Sequence, residues 1–296
     1  MDLARLRMPV RNYWYCFPYR SGEDSKRQRG STRPKFDQGG FVSLPPTEMS
    51  TEQAWIYAFP LFSLNPRSVK MFSGNISSPW KNGMVEETVT IRDDRTTLVG
   101  FLEIPSTPAG IVLFSHGSGS GRFSPRNRFV ARKLQQGGIA TLLIDLLMTD
   151  EEEDRRNVFD IALLSDRVLM ASAWLREDSR TRALPLSYFG ASTGAASALQ
   201  AAAQASFGVC AIVSRGGRPD LAERYLPHVT APTLLLVGGE DHPVIEMNQQ
   251  AYRLLGGPKQ LMIIPGATHL FEEPGTLEQV SEYALKWFRQ HFARPD

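Results

Sequence analysis

From Val85 onward the chain alternates between short apolar runs and stretches with helical spacing, and few folds accommodate that alternation. Ile111-Val112-Leu113-Phe114, Ala140–Ile144, Leu186–Phe189, Val209–Val213, Thr233–Val237 and Leu261–Ile264 are the strand candidates. Neighbouring side chains of a strand point to opposite faces, so runs that are apolar throughout belong to strands covered on both sides. Between and after them, Pro125–Gln136, Phe159–Leu175, Thr193–Gln204, Val244–Leu255 and Leu277–Phe292 carry helical spacing. The pattern predicts an α/β fold: a mostly parallel, doubly wound sheet with helices on both faces. Val85–Arg92 and Leu98–Ile104, separated by Asp93-Asp94, predict an antiparallel hairpin ahead of that sheet.

Charge divides the chain. Residues 1–83 hold twelve Lys/Arg against six Asp/Glu, leaving 21 against 25 for residues 84–296. The early excess (Arg5, Arg7, Arg11, Arg20, Lys26, Arg27, Arg29, Arg33) reads as a solvated, partly disordered basic extension over 1–83 rather than a nucleic-acid-binding tail. Within it, Ala54–Phe59 suits a short helix stopped by Pro60. Residues 84–296 are long enough for one domain with a large core. Two cysteines, Cys16 and Cys210, build no disulfide framework, and no Cys/His cluster calls for a metal. No apolar run reaches the roughly 18 residues of a membrane span, and no apolar stretch follows the first arginines as in a secretory leader. The expectation is a soluble, cytoplasmic protein with no membrane or nucleic-acid partner. The acidic run Asp150–Asp154 reads as a solvated loop, and His291 as a surface residue of the last helix.

Chemistry concentrates at Gly190-Ala191-Ser192-Thr193-Gly194, a Gly-x-Ser-x-Gly stretch between a predicted strand and a predicted helix. A serine on so sharp a turn needs small neighbours two positions away on either side, and the helix that follows aims free N–H groups at its oxygen. Serine is a weak nucleophile without a base. His269, in the loop after the last strand, is placed by parallel topology at the same sheet edge. The base needs an acid to hold its tautomer. Asp241, reached from Thr233–Val237 through Gly238-Gly239, is that candidate, with Asp220 its rival and Glu246 one helical turn too far. The order Ser192, Asp241, His269 is the one expected on this kind of sheet.

Two readings compete for Ser115-His116-Gly117-Ser118-Gly119-Ser120-Gly121. A dinucleotide fingerprint would put glycine where Arg122 stands, so that reading is broken. The other is an oxyanion-hole loop, with the N–H groups of Ser118 and Thr193 facing the developing negative charge. His116 is a candidate loop-orienting or substrate-contacting residue. Arg215, expected just after the strand Val209–Val213, is a candidate for a bidentate bond to a substrate carboxylate, or else a partner of Glu272 or Glu273.

Together, Ser115–Ser120, Gly190–Ala196, Ser214-Arg215-Gly216-Gly217-Arg218-Pro219-Asp220 and Gly266–Glu273 resemble the α/β-hydrolase superfamily, and within it the bacterial dienelactone-hydrolase-like proteins. The resemblance covers roughly residues 84–293. It implies a Ser192/Asp241/His269 triad, no metal or cofactor, and hydrolysis of a small-molecule ester or lactone. Dienelactone hydrolases proper use a cysteine nucleophile, whereas this turn carries Ser192. An amidase or thioesterase with the same triad, and a catalytically silent binding protein of the same fold, are the rival expectations.

Overall fold

Each buried strand sends alternate side chains into two separate cores. Ile111 and Leu113 enter one while Val112 and Phe114 enter the other; Tyr188 and Phe189 part in the same way, as do Leu235 and Leu236. In this computed structural model, which describes residues 85–292, those strands form one eight-stranded sheet in the order β1-β2-β4-β3-β5-β6-β7-β8. The strands are β1 Val85–Arg92, β2 Thr97–Ile104, β3 Ile111–Ser115, β4 Ala140–Ile144, β5 Leu186–Ala191, β6 Ile212–Arg215, β7 Thr233–Gly238 and β8 Lys259–Ile264. The β1–β2 and β2–β4 pairings are antiparallel and the rest parallel. The basic extension and the Ala54–Phe59 segment lie outside the described residues.

Helices α1 (Pro125–Gln136) and α7 (Thr276–Phe292) cover one face. Val130, Leu134, Val280, Ala284 and Phe288 pack there against Phe114, Phe189 and Leu236. On the other face, α4 (Ile161–Glu177) and α5 (Thr193–Gln204) bury Leu164, Val168, Ala196 and Leu199 against Leu113, Tyr188 and Ile212, beside α6 (His242–Leu254). The alanines of α5 let its backbone lie close to the sheet. Among the described residues no helix is long and apolar enough to cross a membrane.

The sequence reading departs from the structure in particular places. The helix expected over Phe159–Leu175 starts at Ile161, because Asp160 caps it by accepting the Leu163 N–H at 3.0 Å, leaving Phe159 52% exposed outside it. β6 begins at Ile212, so Arg215 is the last residue of a strand and not part of the loop after it. The acidic run is not a plain loop: Asp150–Glu152 lie in the one-turn helix α2 (Thr149–Glu152), and Asp154 caps a second, α3 (Arg155–Val158). Its Glu151 pairs with Arg167 at 2.7 Å and accepts the Met148 N–H at 2.9 Å. His291 is half-buried with its ring 4.6 Å from that of Trp287, and burial pushes its pKa down.

Candidate active site

Parallel strands deliver all their C-terminal ends to one edge of the sheet, and the chemistry-bearing residues gather there. β5 ends at Ala191 and α5 starts at Thr193, so Ser192 alone makes the turn. Its backbone is left-handed (φ 52, ψ −124), a conformation that costs a non-glycine residue about 1–3 kcal/mol. The flanking glycines are required by contact. A Cβ on Gly190 would lie 2.4 Å from Cα of Ala195, and one on Gly194 would lie 2.3 Å from the Ser115 carbonyl oxygen. A Cβ on Gly117 would meet that of Ser192 at 2.9 Å. The Ser192 N–H donates to the Arg215 carbonyl at 3.2 Å, and the Ser192 carbonyl accepts the Arg218 N–H at 3.0 Å.

Asp241 follows β7 and precedes α6, and His269 lies in the loop between β8 and α7. These two loops are joined by their backbones: Glu240 N–H donates to the Ala267 carbonyl at 3.0 Å, and a Cβ on Gly238 would press within 2.4 Å of that same oxygen. The approach sets His269 Nδ1 2.6 Å from Asp241 Oδ2, the two side chains being 38% and 13% exposed. With a carboxylate as acceptor, Nδ1 carries the proton and Nε2 keeps a lone pair, a tautomer assigned from the network. Asp220, the rival acid, is instead held by Arg218 through bonds of 2.9 and 2.8 Å. Ser192 and His269 flank the same turn at Gly216: its preceding carbonyl holds the Ser192 N–H, and a Cβ on Gly216 would lie 3.6 Å from His269 Nδ1. Among the described residues no hydrogen bond joins the Ser192 hydroxyl to His269; such contacts are often loose before substrate binds and tighten in the complex.

The loop after β3 differs from expectation at two residues. His116 is buried, with Nε2 accepting the Leu146 N–H at 3.0 Å and Nδ1 donating to the Gly117 carbonyl at 3.0 Å. Both ring nitrogens are spent on backbone, so the substrate-contact expectation for His116 is corrected to a loop-orienting one. Burial lowers its pKa, which fits a neutral ring. The Ser118 N–H is not open to the cleft by itself: it donates to Thr193 Oγ1 at 3.0 Å. The Thr193 N–H, at the first position of α5, has no acceptor among the described residues.

Arg215 is 8% exposed at the end of β6, level with Ala191 of β5. Its guanidinium has no carboxylate partner among the described residues, and Nη1 is buried without any hydrogen bond. Glu272 pairs with Arg126 at 2.9 Å, and Glu273 accepts the Thr268 hydroxyl at 2.6 Å and its N–H at 3.1 Å, so neither acid expected as a partner is one. Burial, helped by the nearby positive charge of Arg126, drives the Arg215 pKa down to about 9. Asn248 is a further residue of this region that no motif marks. It is fully buried on α6, and its Nδ2 donates to the Gly217 carbonyl at 2.9 Å, tying down the turn behind Ser192. An asparagine four places after Val244, on the apolar side of a helix, was the available signal. No group of three or more metal-ligating side chains occurs among the described residues.

With this geometry in hand, the known relatives fall into place. The chain is 54% identical to a solved dienelactone hydrolase from Anabaena variabilis, over 70% of this chain and 98% of that one, with a TM-score of 0.69. It belongs to the dienelactone-hydrolase-like α/β-hydrolases. Est1E from Butyrivibrio proteoclasticus shares the fold of this chain at 17% identity and a TM-score of 0.61, covering 70% of this chain and 99% of its own. Two Mycobacterium tuberculosis proteins that carry the provisional name phosphoribosyl transferase are 53% identical over 210 residues, 71% of this chain. The hydrolase spans about half (47%) of the length of these curated relatives. No family model matches the chain.

Proposed function

We propose that this hydrolase cleaves a carboxylic ester or lactone through an acyl-enzyme on Ser192. His269 Nε2 takes the hydroxyl proton as Ser192 Oγ adds to the carbonyl, while Nδ1–H stays on Asp241, which stabilises the imidazolium. Collapse of the tetrahedral adduct expels the alcohol, protonated by His269, or opens the lactone ring. Water, deprotonated by the same histidine, then releases the acid and restores Ser192. The N–H of Thr193 is one donor to the oxyanion, and the N–H of Ser118 supplies the second, directly or through the group that accepts it. Arg215 binds an anionic group on the substrate, because a buried guanidinium without a carboxylate partner is a strong site for one.

The observation that carries the reading is the 2.6 Å Asp241–His269 pair at the edge where Ser192 is held on a left-handed turn. An activated serine reacts with a fluorophosphonate, so labelling of the wild-type protein that vanishes in Ser192→Ala is the expected result. The same substitution should lower turnover of a p-nitrophenyl ester by about 10³-fold or more. Full turnover by Ser192→Ala would refute the mechanism, and a wild-type protein that neither labels nor turns over would favour a silent binding protein.

A further inference from the structure

We propose that the side-chain hydroxyl of Thr193 is itself a donor to the oxyanion, relaying the Ser118 amide to the reacting oxygen. The inference rests on the acyl-enzyme reading above and adds a residue to it.

Thr193 follows the nucleophile directly and is 3% exposed. Its Oγ1 accepts the Ser118 N–H at 3.0 Å across 75 residues of sequence. The hydroxyl therefore lies between the two chain segments from which the amides of an oxyanion hole come. A hydroxyl has one proton and two lone pairs. One lone pair is taken by Ser118, and the proton has no acceptor among the described residues. When Ser192 Oγ adds to a carbonyl, an alkoxide forms beside the N–H of this same residue, supplying that acceptor. A chain running from N–H through O–H to an alkoxide is polarised along its length, so the Ser118 amide strengthens the bond it does not itself make. The β-branch of threonine restricts χ1 and holds the oxygen on line, which serine does less well.

The opposite arrangement is a plug. There the hydroxyl merely occupies the Ser118 N–H, and the oxyanion has to displace it. The two differ in sign, since removing a relay slows the reaction and removing a plug speeds it. Thr193→Val keeps the shape and deletes the hydroxyl. The expected result is a fall in kcat on the order of 10²-fold, as for loss of one oxyanion donor, with KM within a few-fold. Affinity for an arylboronic acid, which adds to Ser192 and places a negative oxygen in the hole, should fall by a similar factor. Thr193→Ser should keep kcat within about tenfold of wild type, as one retained donor requires.

A Thr193→Val enzyme with wild-type or higher kcat overturns the proposal. So does a loss confined to KM, or a loss shared equally by Thr193→Ser. Should Thr193→Val not fold, Thr193→Ala is measured in its place against the same outcomes. Fluorophosphonate labelling of the wild type separates the two levels: labelling with no kcat effect at position 193 sinks the relay alone, whereas no labelling and no turnover sink the acyl-enzyme reading beneath it.

Discussion

Replacing Arg215 by methionine should stabilise the protein, against the usual direction for a buried substitution. Methionine is unbranched and flexible, two atoms shorter along the chain, and needs no hydrogen bond. Burial holds the charged form of Arg215 at a disadvantage, pulling its pKa down to about 9. Replacing buried charge by apolar volume typically recovers about 1–4 kcal/mol, so a gain of about 2 kcal/mol at pH 7 is expected. In a urea titration that is a midpoint about 1 M higher. The same variant should lose about 10–100-fold in kcat/KM for a carboxylate-bearing ester, the cost of one charge-assisted bond, while a neutral ester changes by only a few-fold. A variant less stable than wild type at pH 7 would show that the guanidinium is already satisfied.

Asp241→Asn should leave the fold intact and lower ester turnover by about 10⁴-fold, because an amide holds the wrong imidazole tautomer; steady-state kinetics on a p-nitrophenyl ester checks this. Gly194→Ala drives a methyl group to 2.3 Å from the Ser115 carbonyl, so a loss of about 1–3 kcal/mol in denaturant titration and a collapse of fluorophosphonate labelling are expected. His116 has a lowered pKa, so the unfolded chain binds its proton first. Stability from this group is present above pH 6.5 and is lost as the pH falls below it, and the slope of melting temperature against pH between 7 and 5 should flatten in His116→Gln.

Much of this molecule was legible because its elements are punctuated strongly. The two-sided apolar runs specified buried parallel strands, and strand order then placed Ser192, Asp241 and His269 at one edge without knowledge of a single contact. Boundaries slipped where a local bond decided them: Asp160 caps α4 two residues later than hydrophobic spacing suggested. Loop position alone favours Asp241 over Asp220 in the sequence; in the structure Asp241 meets His269 at 2.6 Å while Asp220 meets Arg218 at 2.8 Å. The Ser118–Thr193 bond was beyond sequence reasoning, since it joins residues 75 apart through a side chain whose rotamer no pattern encodes. The same holds for Arg215, whose isolation depends on Glu272 and Glu273 each having found another partner.

The backbone contacts between the β7 and β8 loops have a mechanical consequence. Asp241 and His269 are fastened to one another by Glu240, Ala267 and Gly238, while Ser192 is fastened to the neighbouring strand through the Arg215 carbonyl. Asp241 and His269 thus form one unit, and the joint between that unit and Ser192 is the left-handed Gly216 (φ 51). A residue with a side chain at that joint would be strained at this φ and would press to 3.2 Å from the His269 carbonyl oxygen, so the spacing between nucleophile turn and imidazole depends on one missing methyl group.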